Sequence, residues 1–265
     1  MYSPAQLAFK FVKYYLTASN GKGHGIHSPF VFDFITNVMN DNRHFYAYDS
    51  IEQCRKDTLK DERVLTVEDF GAGSTLTKSK ERKVSNIAHS SLKPKKFGQL
   101  MFRIVNYFAS GTIVELGSSL GITTSYLAAG NLNGNVYTFE GAQQVAEVAK
   151  QHFNDLLLKN IQMVEGNFDD TLQQQLNKLT TVDLAFVDGN HREGPTIRYF
   201  EQLIEKATEF SVFIFDDIHW SREMDNAWKH IKQHPSVKLT IDLFFIGIVF
   251  FRQEQKVPQH YVIRF

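Results

Sequence analysis

From about residue 95 onwards, short apolar runs alternate with segments in which apolar residues recur at helical spacing. Strands are predicted at 112–116, 135–140, 161–165, 182–187, 212–215, 237–245 and 248–252, and helices at 123–129, 142–158, 171–179, 196–207 and 223–233. Such alternation is typical of a parallel sheet covered by helices on both faces. Only Ile246-Gly247 separates the last two runs, so these must be antiparallel. The pattern predicts an α/β fold with a seven-stranded mixed sheet whose last strand is antiparallel.

The first part of the chain has a different pattern, with helical spacing and no strand–helix alternation. Helices are predicted at 4–20, 30–39, 41–62 and 94–108. Ser28 and Pro29 suit the N-cap and first position of the second helix. His24 and His27 lie in the preceding loop, either as ligands or as ordinary loop residues. We therefore divide the chain into an N-terminal helical extension, 1–94, that serves as a lid or interaction surface, and a domain at 95–265.

Composition restricts the class of protein. Lys and Arg together number 29, as do Asp and Glu, so no basic field favours nucleic acid. The single cysteine, Cys54, excludes an internal disulfide and suits a reducing compartment. Lys10 and Lys13 interrupt the first apolar stretch, which argues against a signal peptide. The longest apolar run, 241–251, is too short for a bilayer, which takes about 20 residues. We expect a cytoplasmic protein with no nucleic-acid or membrane partner, and a homodimer remains open.

The segment 113–121 reads as a strand ending in a carboxylate, Glu115, followed by a glycine turn and a helix. This order suits a nucleotide cradle. The spacing of Gly117 and Gly121 differs from the G-x-G-x-x-G of nicotinamide enzymes. A similar sequence at 67–74 is followed by a strongly polar stretch, so we expect a loop there, with a lid at 68–80 as a further option.

Polar residues follow each later predicted strand, where α/β sheets gather their ligands. The segments are Phe139-Glu140, Gly166-Asn167-Phe168-Asp169, Asp188-Gly189-Asn190-His191 and Asp216-Asp217-Ile218-His219-Trp220. In this order, and with the glycine turn, they resemble a class I S-adenosylmethionine-dependent methyltransferase, and within that group the catechol- and macrocin-type O-methyltransferases. The resemblance covers roughly residues 95–252 and implies a Rossmann-like fold.

The resemblance also implies residue roles. Glu115 and the glycine turn would lie under the methionine part, Glu140 would hold the ribose, and Asn167 and Phe168 would flank the adenine. The complete set predicted to contact S-adenosylmethionine is Glu115, Gly117, Ser118, Ser119, Gly121, Glu140, Asn167, Phe168 and Asp188.

A second predicted group is Asp188, Asp216 and Asp217. In the enzymes of this resemblance, oxygens at these strand ends hold a divalent cation that binds the acceptor hydroxyl and eases its deprotonation. An all-oxygen set suits Mg²⁺, with Mn²⁺ or Ca²⁺ as options. The alternative is that Asp216 and Asp217 only cap the following turn and that Asp188 touches the cofactor.

His191 stands where the catechol enzymes place a general-base lysine, and an imidazole suits proton removal near neutral pH. We therefore predict His191 and Asp188 as the catalytic residues. His219 and Trp220 are candidates for the acceptor pocket.

The sequence thus predicts a methyltransferase that acts on a small-molecule hydroxyl with divalent-metal assistance. Two alternatives remain: a metal-independent N- or O-methyltransferase, and a non-catalytic module that binds S-adenosylmethionine. A nucleic-acid methyltransferase is disfavoured by the neutral charge and by the absence of an Asn-Pro-Pro-Tyr-like motif after the fourth strand.

Overall fold

The computed structural model describes residues 1–67 and 81–265, which form two compact units. Met1–Asp41 and Gln175–Phe265 form the terminal unit, and Asn42–Gln174 form the central unit. The lid predicted at 68–80 lies outside the described residues. Among the described helices, none is long and apolar enough to cross a membrane. The division of the chain at residue 94 stays a prediction.

Helices and strands alternate along most of the chain. The helices are α1 (Pro4–Thr17), α2 (Pro29–Phe34), α3 (Tyr48–Thr58), α4 (Val84–Ser91), α5 (Lys95–Phe108), α6 (Ile122–Gly130), α7 (Gln143–Asp155), α8 (Phe168–Leu176), α9 (Glu193–Ile204) and α10 (Arg222–Gln233), with a π-helix at Ile35–Met39. The strands are β1 (Val64–Thr66), β2 (Glu81–Lys83), β3 (Thr112–Leu116), β4 (Asn135–Glu140), β5 (Ile161–Glu165), β6 (Leu184–Val187), β7 (Val212–Asp216), β8 (Leu239–Asp242), β9 (Ile246–Phe250) and β10 (Gln259–Val262).

The main sheet is mixed and mainly parallel, as predicted, and has eight strands within the described residues. In the central unit, β4 pairs in parallel with both β3 and β5. In the terminal unit the order is β6-β7-β9-β8-β10, and β9 is antiparallel to both β7 and β8. The prediction of an antiparallel strand is therefore confirmed.

The predicted count of seven strands was one too low, because β10 follows the antiparallel strand and pairs in parallel with β8. β10 has four residues of alternating burial and lies at an edge of the sheet. A short, half-exposed edge strand carries little apolar signal.

Several helix boundaries also differ from the prediction. Ser28 caps α2 and Pro29 begins it, as expected. The helix predicted at 41–62 is limited to α3. α8 and α9 each begin three residues earlier than predicted, at Phe168 and Glu193. Acidic residues in the first turn of both helices favour these earlier starts, because carboxylates stabilise a helix N-terminus.

A short strand lies directly before the segment 67–74, for which a loop is predicted. β1 pairs with β2 in a separate antiparallel ribbon, with Leu65 opposite Arg82. Leu65 is buried against Val84 and Val145 of the central unit. β1 thus belongs to a small ribbon of its own. The rest of the look-alike of the cofactor strand, from residue 68, lies outside the described residues.

Candidate functional site

The glycine turn after β3 is tight and uses three residues with positive φ: Gly117 at 99°, Ser119 at 45° and Gly121 at 77°. The backbone N–H groups of Gly117 and Ser118 both donate to the Phe139 carbonyl, each at 3.0 Å. A Cβ on Gly121 would lie 2.6 Å from the Phe153 ring. Glycine is therefore required at Gly121 by both its φ and its close contact with α7.

Glu140 lies at the carboxyl end of β4, beside this turn. One carboxylate oxygen accepts the Ser119 N–H at 2.9 Å, and the other accepts the Ala142 N–H at 2.9 Å. Glu140 is half-buried, so its carboxylate is also accessible to a ligand. The backbone of the turn thus fixes the carboxylate that we predict to hold the ribose.

Glu115 is fully buried beneath the turn. Its Oε2 accepts the Thr124 hydroxyl at 2.5 Å and the Thr138 hydroxyl at 2.6 Å, which ties β3 to α6 and β4. Burial raises the pKa of Glu115 to about 7, against the opposing effect of the two hydroxyl groups. Its Oε1 is buried and has no hydrogen-bond partner in the described part of the chain. Glu115 therefore supports the turn from below.

The other predicted cofactor residues lie near the end of β5. The Gly166 N–H donates to the Glu140 carbonyl at 3.0 Å, which joins the ends of β4 and β5. Asn167 accepts the Asp169 N–H through its side chain at 3.0 Å. The half-buried Phe168 ring meets the Phe139 ring edge-on, with 6.4 Å between centroids. The central unit thus brings the turn, Glu140, Asn167 and Phe168 to the carboxyl ends of its strands.

The terminal unit contains the second candidate group. One possible ligand atom each from Asp188, His191 and Asp216 lies within 4.8 Å of the others. His191 Nε2 is 3.6 Å from Asp188 Oδ1. Asp216 is buried, whereas Asp188 and His191 are half-buried. Two carboxylates and an imidazole are a chemically suitable donor set for a divalent cation.

Asp217 is not a member of that group, although the sequence predicted it as the third metal ligand. It follows the buried Asp216 directly and has a φ of +52°. Its backbone carbonyl accepts the Trp220 N–H at 2.9 Å, which closes a turn. The left-handed backbone at Asp217 changes the direction of the chain after β7. The sequence does not show this change of direction.

Asp217 instead lines a pocket of 240 Å³ in the terminal unit. The wall is almost entirely apolar and consists of Leu7, Ala8, Phe11, Asp217, His219, Trp220, Phe244 and Phe245. The structure thus brings together His219 and Trp220, the two residues suggested for an acceptor pocket, with part of α1.

His219 is also the centre of a hydrogen-bonded network that the sequence analysis missed. Its Nδ1 lies 2.7 Å from Asp225 and its Nε2 lies 2.8 Å from Asp242. Burial alone would lower the pKa of His219, but the two carboxylates outweigh burial and raise it to about 9. Tyr2 and Lys10 each donate to Asp225 at 2.6 Å. The available signal was Asp242, a single acid inside a long apolar run.

The remaining candidates have ordinary roles. His24 and His27 are exposed in the loop before α2. Burial raises the pKa of the Cys54 thiol to about 11, so it is a poor nucleophile near neutral pH. Neither observation adds a residue to the candidate site.

Comparison with known proteins adds to this geometry. Residues 114–218 match the family described as a methyltransferase domain. This segment of the chain is therefore similar to a methyltransferase domain. The matched range begins in β3 and ends just after β7, so it includes the glycine turn, Glu140, Asp188 and Asp216.

Solved structures of methyltransferases share the fold of this chain. A Podospora anserina methyltransferase bound to S-adenosylhomocysteine superposes with a TM-score of 0.60 at 12% identity, covering 85% of this chain and 97% of that one. A Bacillus cereus O-methyltransferase, also in complex with S-adenosylhomocysteine, gives 0.57 at 19% identity, covering 83% and 97%. The fold is that of the class I, S-adenosylmethionine-dependent enzymes, and the protein resembles their O-methyltransferases.

One curated relative matches over a shorter range. A tRNA (guanine-N(7)-)-methyltransferase from Mycoplasma mobile is 38% identical over 77 residues, which are 29% of this chain. The chain spans 38% of the length of that relative. The match is consistent with the methyltransferase domain.

Proposed function

We propose that this methyltransferase transfers the methyl group of S-adenosylmethionine to a hydroxyl oxygen of a small molecule, with the assistance of a divalent cation. The observation that supports this proposal is the group formed by Asp188, His191 and Asp216 in the terminal unit. Carboxylates and an imidazole with mutual spacing below 5 Å suit a cation that activates oxygen nucleophiles.

The central unit would bind the cofactor. Glu140 already accepts two backbone N–H groups, and each carboxylate oxygen can accept a further hydrogen bond. We therefore assign it the two ribose hydroxyls. Asn167 and Phe168 would contact the adenine, and the turn from Gly117 to Gly121 would lie under the methionine part. Glu115 would act indirectly, because it is buried and bonded to Thr124 and Thr138.

Asp188 and Asp216 would hold the cation in the terminal unit. A bound divalent cation polarises an oxygen ligand and lowers its pKa, which favours the nucleophilic form. His191 has two mutually exclusive roles, because its Nε2 has one lone pair. It can remove the acceptor proton, as the sequence predicted, or it can bind the cation.

The chemistry requires little else from the protein. The acceptor oxygen would take the methyl group from S-adenosylmethionine as the carbon–sulfur bond breaks and S-adenosylhomocysteine leaves. The protein would raise the rate mainly by orienting the two molecules and by electrostatics.

The test is transfer of label from S-adenosylmethionine carrying a ¹⁴C-methyl group. The purified protein is incubated with a small-molecule fraction of cell extract, with Mg²⁺ or Mn²⁺ and with EDTA. The proposal predicts base-stable label in small molecules and its loss with EDTA. Label transfer that is insensitive to EDTA would support the metal-independent alternative, and absence of transfer to any fraction would support a non-catalytic binding module.

The match to the Mycoplasma mobile enzyme supports a second candidate, methylation of guanine in tRNA. Its match is partial, and the chain carries a net charge of zero, whereas phosphate backbones favour basic surfaces. Total tRNA therefore serves as a parallel acceptor in the same assay. Label in tRNA rather than in small molecules would replace the proposed substrate class.

A further inference from the structure

We propose that His191 is a ligand of the cation and not the general base, so that Asp188, His191 and Asp216 form a mixed nitrogen–oxygen site. This inference rests on the proposed function, whose cation it specifies. A nitrogen ligand changes the expected metal from Mg²⁺ to a transition ion such as Zn²⁺, for which Mn²⁺ can serve as a paramagnetic probe.

The first argument is the spacing of the donor atoms. Oxygen and nitrogen ligands lie about 2.0–2.2 Å from ions of this size, so two ligands of one ion are at most about 4.4 Å apart. The three candidate atoms lie within 4.8 Å of one another, so small side-chain rotations would bring all three into range. The 3.6 Å between His191 Nε2 and Asp188 Oδ1 is within the range for two ligands of one ion but is too long for a hydrogen bond.

The second argument is the backbone that carries the histidine. Asn190 has a φ of +65° and His191 a φ of +23°, which are uncommon values for residues other than glycine. Two consecutive strained residues turn the chain so that His191 comes back towards Asp188, only three residues earlier. Strain of this kind concentrates at functional sites.

The third argument is donor chemistry. Mg²⁺ and Ca²⁺ are hard ions that prefer oxygen ligands alone. An imidazole nitrogen suits Zn²⁺, Cu²⁺, Fe²⁺ and Ni²⁺, and the affinity of a given site generally rises from Mn²⁺ to Cu²⁺. The all-oxygen set predicted from the sequence needed Asp217, but the group that forms contains His191 in its place. With His191 in place of Asp217, the preferred ion is a transition ion and not Mg²⁺.

The experiment measures Mn²⁺ binding to the full chain without S-adenosylmethionine or acceptor. Mn²⁺ is titrated and free ion is followed by electron paramagnetic resonance; pulsed measurements then test for coupling to a ¹⁴N nucleus. We expect one bound Mn²⁺ with directly coordinated nitrogen. In His191→Asn the nitrogen coupling should disappear, and the affinity should fall by at least about tenfold, the lower end of what losing even an outer-shell partner costs.

Two further variants make the result specific. Asp217→Asn should leave both the affinity and the ¹⁴N coupling largely unchanged. His230→Asn, the same change at an exposed histidine paired with Glu201, should behave like the unsubstituted protein. In competition, Zn²⁺ should displace Mn²⁺, whereas millimolar Mg²⁺ should displace it poorly.

The inference is overturned if no Mn²⁺ binds, if bound Mn²⁺ shows no nitrogen coupling, or if Asp217→Asn weakens binding while His191→Asn does not. These outcomes are independent of methyl transfer. Bound Mn²⁺ with nitrogen coupling but no transfer to any acceptor would count against the proposed function and leave the site intact. Transfer supported by Mg²⁺ without coordinated nitrogen would do the reverse.

Discussion

The acidic side chains of the two units have different surroundings. In the central unit, Glu115 and Glu140 are held by groups of the chain itself: threonine hydroxyls for one and backbone N–H groups for the other. In the terminal unit, Asp188 and Asp216 gather with a histidine on a strained loop. The proposed cofactor cradle therefore has carboxylates that are fixed by groups of the protein, whereas the geometry of the second group suits an added cation.

The largest expected effect concerns the terminal unit. Asp188→Asn should reduce kcat/KM for labelled-methyl transfer by about 100-fold or more, because a bound cation contributes several kcal/mol of charge stabilisation. The affinity for S-adenosylhomocysteine, measured by calorimetry, tests whether the variant loses activity without losing cofactor binding. If the cofactor affinity falls as steeply as the activity, Asp188 contacts the cofactor, which is the alternative that the sequence left open. The proposed difference between the two units would then be wrong.

The next effect concerns the pH dependence of stability in the central unit. The pKa of Glu115 is raised from 4.5 to about 7 in the folded protein, so folding is favoured below 4.5 and that contribution is lost as pH rises through about 7. At 1.36 kcal/mol per pH unit, the loss is roughly 3 kcal/mol. In Glu115→Gln, the difference in unfolding free energy between pH 5 and pH 8 should shrink by about that amount. Urea unfolding at both pH values measures it, and an unchanged difference would contradict the assignment of a buried, titrating Glu115.

The glycine turn offers a test of packing with an internal control. Gly121→Ala combines an unfavourable φ of +77° with a Cβ 2.6 Å from the Phe153 ring, and should cost about 2–4 kcal/mol of unfolding free energy. Gly25→Ala has a similar φ of +81° but nothing within 4 Å of the new Cβ. It should cost only about 1–2 kcal/mol. Equal costs for the two variants would show that contact with α7 does not fix the turn.

The smallest effect isolates the ribose carboxylate. Glu140→Gln retains the shape of the side chain but removes its charge, and hydrogen bonds to charged groups are worth about 1.5–3 kcal/mol. The affinity for S-adenosylhomocysteine should fall by about 10- to 100-fold. The unfolding free energy should fall as well, because the amide nitrogen of Gln cannot accept the N–H of Ser119 or Ala142. Glu147→Gln is the matched control: Glu147 forms an ion pair with Lys150, and this variant should bind S-adenosylhomocysteine normally. Equal affinity in both variants would remove Glu140 from the cofactor site.

Much of the fold could be predicted from the sequence because local patterns determine it. The bounds of β3, β4 and β5 agree with the prediction residue for residue, since each is an apolar run with clear turn signals. β10 was missed because a four-residue edge strand carries few apolar positions. The starts of α8 and α9 differ from the prediction because acidic first turns extend these helices beyond the apolar pattern.

The candidate site was predictable where it depends on strand ends and unpredictable where it depends on loop conformation. Glu140 follows β4 and lies beside the glycine turn, as the order of elements implies. His191, and not Asp217, lies with Asp188 and Asp216, and this arrangement depends on positive φ values at residues other than glycine, which the sequence does not reveal. The bonds of His219 to Asp225 and Asp242 join residues distant in sequence, and only the folded chain shows them.

The most direct test of the central claim is a crystal structure with S-adenosylhomocysteine. The account predicts density along the turn from Gly117 to Gly121, with both ribose hydroxyls on the Glu140 carboxylate and the adenine against Phe168. Absence of the ligand from this turn at saturating concentration, or a ribose bound away from Glu140, would contradict it.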